Sequence, residues 1–272
     1  MIALGAALIG ALIGSFLNVV IYRVPRAMSV VRPASSCPAC GVAIRPVDNI
    51  PVVSWLLLRG RCRHCAAAIS PRYPLVELGT ALMFAGVAVL FGPAVLEAAD
   101  AYAAVSAALV LVAFLYLTAI SIALAAIDLE SHRLPNAIVL PTYAVAVVLL
   151  GAAALLTTDL ASFARAAAGA GALFAFYLVL ALIAPRGMGM GDVKLAGVLG
   201  LCLGWVGWGA LAVGSLAAFV LGGIVGIALI VVRRASRSTA IPFGPWMLAG
   251  AWIGIVFGEW IAVSYLALFG MN

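Results

Sequence analysis

Charge is what this sequence has least of. Lys, Arg, Asp and Glu together make up 9% of its 272 residues, where a soluble domain carries about a quarter. That excludes a soluble globular enzyme. With 67% hydrophobic residues and a mean hydropathy of +1.26, the chain reads as an all-α polytopic membrane protein. No charge precedes Arg23, so the first apolar run lacks the basic region of a cleaved secretory signal and is expected to be a membrane helix. No glycine-rich dinucleotide fingerprint occurs in residues 23–74. Neither an internal repeat nor an inverted pair of broken helices is visible, which counts against a transporter. The net charge of +6 requires no nucleic acid, because a positive-inside bias and anionic lipid headgroups account for it.

What basic residues there are lie unevenly. Eight of the fifteen Lys and Arg (Arg23, Arg26, Arg32, Arg45, Arg59, Arg61, Arg63 and Arg72) fall in one polar segment, which assigns that segment to the cytoplasm. Apolar runs at 1–22, 75–91, 102–127, 137–156, 162–184, 193–206, 209–232 and 243–268 then predict about eight spans, with the N-terminus outside. Every inferred cytoplasmic loop carries Lys or Arg, and the outside loops carry only Arg165. The run at 193–206 is short for a span at 1.5 Å per residue, so a thinned bilayer or a partly exposed helix is expected there. Ser15 and Asn18 are expected to hydrogen-bond a neighbouring helix, and the many Ala and Gly suit close packing in lipid. The division expected is helix 1–22, a cytoplasmic domain 23–74 and a seven-helix membrane domain 75–272.

Four cysteines stand in that cytoplasmic segment as Cys37-Pro-Ala-Cys40 and Cys62-Arg-His-Cys65. Two such knuckles resemble a zinc ribbon, in which four thiolates close a tetrahedral structural site. Two disulfides are the alternative, disfavoured in a reducing compartment. So small a domain has little core, and a metal is its usual staple. His64 reads as a solvated neighbour, and Cys202, in an apolar run, as a small buried hydrophobe.

Two aspartates sit where long apolar runs meet polar loops. Asp192 lies in Pro185-Arg-Gly-Met-Gly-Met-Gly-Asp-Val-Lys194, and Asp128 in Ala125-Ala-Ile-Asp-Leu-Glu-Ser-His-Arg-Leu-Pro-Asn136. A boundary carboxylate is expensive to hold and marks a candidate site. On the inferred topology both lie on one face. If folding joins them, like-charge repulsion splits their titration, leaving one acid and one base near neutral pH. Such a pair can activate water and protonate a leaving amine. Gly187, Gly189 and Gly191 allow a sharp turn and a close approach beside Asp192. Lys194 either acts on the Asp192 carboxylate or the substrate, or anchors in the headgroups. Ala240-Ile-Pro-Phe-Gly-Pro-Trp246 is either a wall of the site or a tight turn starting a helix.

In combination these stretches resemble the type IV prepilin peptidase family of membrane aspartic proteases. The similarity runs nearly end to end: Gly14-Ser-Phe-Leu-Asn-Val-Val-Ile-Tyr-Arg23, the paired Cys-x-x-Cys, Asp48-Asn-Ile-Pro51, Arg72-Tyr-Pro-Leu-Val-Glu77, the Asp128 loop, Gly189-Met-Gly-Asp-Val-Lys194 and Pro242-Phe-Gly-Pro245. The resemblance implies that Asp128 and Asp192 are the catalytic pair, with Gly189 and Gly191 completing a Gly-x-Gly-Asp motif. It implies removal of a basic leader from prepilins and pseudopilins at the cytoplasmic face of the bacterial inner membrane. It also implies N-methylation of the new terminus with S-adenosylmethionine. A transporter or assembly scaffold with a zinc-stapled domain is the competing reading. A cation path, however, would carry acids near mid-bilayer rather than at one face.

The topology is directly testable. Single-cysteine labelling should modify positions near 130, 188 and 237 from the cytoplasmic side and the N-terminus from outside. Labelling of position 188 from outside would overturn the arrangement.

Overall fold

The computed structural model describes residues 2–184, 188–232 and 242–270. Pro185, Arg186 and Gly187 of the glycine-rich stretch, Arg233, Arg234 and Arg237 of the last basic loop, and Ala240 and Ile241 lie outside the described residues. Among those described there is no β-strand, and the α-helices run α1 (Ile2–Arg23), α2 (Val53–Leu57), α3 (Arg72–Leu96), α4 (Ala101–Ser131), α5 (Asn136–Thr157), α6 (Leu160–Ile183), α7 (Met190–Val206), α8 (Trp208–Val231) and α9 (Gly244–Ala267). Seven of them, all but α2 and α7, are long and apolar enough to cross a membrane. Helices are what such a sequence must form, since lipid offers the backbone no hydrogen-bond partners. Their ends are set locally. Asp100 and Asp159 cap α4 and α6 by accepting the N–H groups of Ala103 at 2.8 Å and Ser162 at 3.1 Å.

Small residues decide how the helices pair. α1 packs on α3, α6 on α7 and α8 on α9, while the long α4 meets α1, α3, α5 and α9. A Cβ on Gly169 of α6 would lie 2.5 Å from the Gly200 carbonyl oxygen of α7, and one on Gly254 of α9 would lie 2.5 Å from that of Ala210 in α8. Backbones this close exclude any side chain between them, the usual way to associate helices in lipid. Asn18 of α1 donates its amide to the Tyr73 carbonyl at 3.1 Å, so it serves a neighbouring helix as expected.

α7 departs from expectation. It is not partly exposed: from Leu195 to Gly204 every residue is buried, enclosed by α5, α6, α8 and α9. At 17 residues it is at the short end for a span, and protein rather than lipid surrounds it. Its C-terminal carbonyls are met by Arg165, whose guanidinium donates to Gly204 at 2.7 Å and to Trp205 at 2.8 Å. Arg165 thereby caps the C-terminus of α7.

If the α6–α7 contact organises the core, Gly200→Leu should destabilise the protein by about 1–3 kcal/mol or more through overpacking, lowering its thermal midpoint in detergent by several degrees. Gly171→Leu, on the same α6 but with open space at its Cβ, should leave the midpoint unchanged.

Candidate active site

Asp128 stands in the last turn of α4. The helix ends just beyond it because His132 takes a left-handed conformation (φ 51°, ψ 42°) and returns its N–H to the Asp128 carbonyl at 2.8 Å. The Asp128 side chain is buried, and its Oδ2 accepts the N–H of Gly244 at 3.1 Å. Gly244 opens α9, so the carboxylate faces a helix N-terminus, where N–H groups and the dipole favour negative charge. A Cβ on Gly244 would fall 2.7 Å from that same oxygen. The Pro242–Pro245 turn starts a helix and sets its Gly244 against Asp128.

Asp192 occupies the first turn of α7, and its Oδ2 accepts the N–H of Gly189 at 3.0 Å, the return half of a capping box. The two glycines do different things. Gly191 is the contact point: a Cβ there would lie 3.0 Å from Cβ of Leu134 in the Asp128 loop, whereas one on Gly189 would meet nothing closer than 3.5 Å. Lys194 turns away from Asp192. Its Nζ donates to Asn136 Oδ1 at 3.0 Å, while Tyr143 donates its hydroxyl to the Lys194 carbonyl at 2.6 Å. Among the described residues Lys194 thus ties the start of α7 to α5, with no ion pair to either aspartate.

Both aspartates open on one cavity of about 390 Å³, walled also by Val24, Pro25, His132, Arg133, Leu134, Pro135, Gly189 and Gly191. Three chain segments distant in sequence thus converge: the exit from α1, the α4–α5 loop and the entry to α7. Val24 and Pro25 were not anticipated, nor was the Gly244 amide as the partner of Asp128, since nothing in their local residues signals a long-range contact. His132 and Arg133 were detectable only as neighbours of Asp128. Two carboxyl groups sharing a cavity at the end of a helix bundle can divide the proton transfers of amide hydrolysis.

The cysteines form a second constellation. Cys37, Cys40, Cys62 and Cys65 bring their four Sγ atoms within 4.8 Å of one another, a set able to hold a metal ion. Each pair sits in the same kind of knuckle: the N–H groups of Cys37 and Cys62 donate to Val42 and Ala67, and the two carbonyls accept from Gly41 and Ala66. Amides of Cys40 and Ala39 push the Cys37 thiol down to about 6, while at Cys65, against the Ala67 amide, burial and the neighbouring thiols push the thiol up to about 11. The crowded thiols thus share their protons unevenly, and Cys37 is the one set toward the thiolate that a metal requires. Trp55 braces the knuckles, donating Nε1–H to Ile69 at 3.1 Å. Asp48 pairs with Arg63 at 2.5 Å, and this hydrogen bond holds its carboxyl below the usual range. The domain is fastened to the bundle at two points. Arg23 donates to the carbonyls of Ser29 and Pro33, and Glu77 of α3 accepts the Val52 N–H at 2.7 Å.

Residues 8–91 match the model described as Bacterial Peptidase A24 N-terminal domain, and residues 115–231 match that of the Type IV leader peptidase family. The chain is 35% identical to the prepilin leader peptidase/N-methyltransferase of Pseudomonas aeruginosa, across 97% of this chain and 93% of that protein. It is 37% identical to the protein of the same name from Pseudomonas putida (97% and 94% covered) and 36% identical to that from Aeromonas hydrophila (96% and 93%). No solved structure matches it. With both halves matched and nearly the full length of its relatives covered, the chain belongs to the type IV leader peptidase family.

Proposed function

We propose that this protein cuts the basic leader from type IV prepilins and pseudopilins at the cytoplasmic face of the bacterial inner membrane, with Asp128 and Asp192 as its acid and base. The observation that carries the reading is the single cavity onto which both carboxyl groups open, at the ends of α4 and α7. A prepilin whose apolar segment lies in the bilayer would present the bond beside its leader at this depth. One carboxylate takes a proton from water as the oxygen attacks the scissile carbonyl, and the other gives its proton to the carbonyl oxygen. Collapse of the tetrahedral species then needs a proton on the leaving nitrogen, which the newly protonated carboxyl supplies. The Gly244 and Gly189 amides hold the two groups in place while protons move.

The same reading extends to methylation of the new N-terminal amine, for which S-adenosylmethionine is the implied donor. Its support is architectural: Val24 and Pro25 both wall the peptidase cavity and begin the cysteine segment, so the new terminus emerges beside that domain. The division proposed is helix 1–22, cysteine domain 23–74 and membrane peptidase domain 75–272. Zinc is the metal proposed for the cysteines. Four thiolates at about 2.3 Å from zinc lie about 3.8 Å apart along each tetrahedral edge, and Cys37 and Cys65 Sγ stand 3.8 Å apart. The zinc would be structural, holding two knuckles that have almost no apolar core.

Asp128→Asn and Asp192→Asn should each reduce leader removal by roughly 10²–10⁴-fold or more while the protein stays folded in the membrane. The assay is incubation of purified enzyme with a prepilin peptide in detergent and mass analysis of its N-terminus. Full cleavage by either variant would sink the dyad.

Purified protein should carry about one zinc ion per chain, the capacity of one tetrahedral thiolate site. Cys62→Ser should release it and impair methyl transfer more than cleavage, because the peptidase helices satisfy their own backbone without this staple. Metal content, cleavage and methylation measured on one preparation decide the matter. Wild-type methylation by a zinc-free variant would separate the cysteine domain from the methyl-transfer site.

A further inference from the structure

The cysteine domain leaves an unusual share of its apolar side chains in the open. Val47, Ile50, Val53, Leu56 and Leu57 fall within eleven residues, and all are exposed, Leu57 to 78% and Val47 to 62%. Their neighbours turn the other way. Ser54 is buried, accepts the Ile50 N–H at 3.0 Å and donates to the Val47 carbonyl at 2.9 Å, and Trp55 reaches inward to Ile69. The stretch is folded on Ser54 and Trp55 and presents an apolar outer side. Around it stand Arg45, Arg59 and Arg61, all exposed. The only acid in 24–71 is Asp48, already paired with Arg63. An apolar surface flanked by arginines that make no ion pair among the described residues complements an anionic lipid layer.

Depth gives the second, independent argument. Glu77 lies five residues beyond Arg72, about 7.5 Å along α3 at the helical rise, and its carboxylate accepts the Val52 N–H at 2.7 Å. This hydrogen bond draws the entry of α2 down beside the second turn of a membrane-crossing helix. Interfacial segments bury their apolar faces to about 5–10 Å at the headgroup and acyl boundary, the same depth when Arg72, the first residue of the span, is placed at the headgroups. On α3 itself Leu75 and Leu78 are also exposed at this level along the helix.

We propose that the segment from Val47 to Leu57 is an interfacial anchor that seats the cysteine domain in the membrane leaflet. Val53, Leu56 and Leu57 enter the acyl boundary, and Arg45, Arg59 and Arg61 bind phosphates of anionic phospholipids. The domain is then held against the bilayer at the mouth of the peptidase cavity in addition to its fastenings at Arg23 and Glu77.

The test uses the full chain in nanodiscs containing phosphatidylglycerol or phosphatidylcholine alone. The photoreactive residue p-benzoylphenylalanine replaces Leu57 or, separately, Val47, with exposed Ala66 in the opposite knuckle as the control position. After irradiation, intact-mass analysis should show phospholipid adducts at 57 and 47 several-fold above the yield at 66. Arg59→Gln with Arg61→Gln should lower that yield several-fold in anionic nanodiscs, since each arginine near an anionic surface is worth about five-fold in binding. In phosphatidylcholine the pair of substitutions should change little. Protein adducts at 57 in place of lipid, or a lipid yield no higher than at 66, would overturn the anchor. Equal yields with and without anionic lipid would overturn the role given to the arginines.

Discussion

Gly191 against Leu134 is the contact on which the site depends. It lets the first turn of α7 lie on the loop that follows α4 with almost no space between them, and so brings a carboxylate from each onto one cavity. A bundle in lipid has no hydrophobic drive to bring such elements together, and close approach of small residues takes its place. The same logic repeats deeper down, where Gly169, Gly200 and Gly204 seat α6 against α7. The burial of α7 and the position of Asp192 are thus two results of one packing mode.

Each carboxylate is also held by a backbone amide. Asp192 takes its partner from the same turn, Gly189, and so carries its geometry with it. Asp128 takes its partner from the start of α9, and its position therefore depends on α9 being docked. The two halves of the pair are supported differently, one locally and one through the tertiary fold. Gly244 has to lack a side chain because the oxygen it serves stands only 2.7 Å from where a Cβ would be.

The cysteine domain follows a different stabilising principle from the bundle. Its order comes from the knuckle hydrogen bonds, the Trp55 brace and the four thiols, and its attachment from Arg23 and Glu77 at the two ends of the connection. Because Val24 and Pro25 belong at once to this connection and to the cavity wall, the domain is joined to the peptidase site by chain continuity as well as by contact. An ion pair between Arg72 of α3 and Glu130 of α4 links the other end of the segment to the helix that bears Asp128.

By itself the sequence determined the class of the protein, because scarcity of charge and long apolar runs leave only a helical membrane bundle. It also singled out the candidate site residues, since two aspartates at span ends and two Cys-x-x-Cys pairs stand out in so apolar a chain. Both signals are local, resting on composition and short spacing. What only the tertiary structure decided is who meets whom. Asp128 and Gly244 are separated by 116 positions, and no periodicity reports a hydrogen bond across that distance. Lys194 adjoins Asp192 in sequence yet reaches Asn136, because the helical turn points the two side chains apart. The short run at 193–206 looked poorly suited to a membrane, and in the fold it became the most enclosed helix. Length and hydropathy measure a segment against lipid, whereas α7 is enclosed by other helices from Leu195 to Gly204.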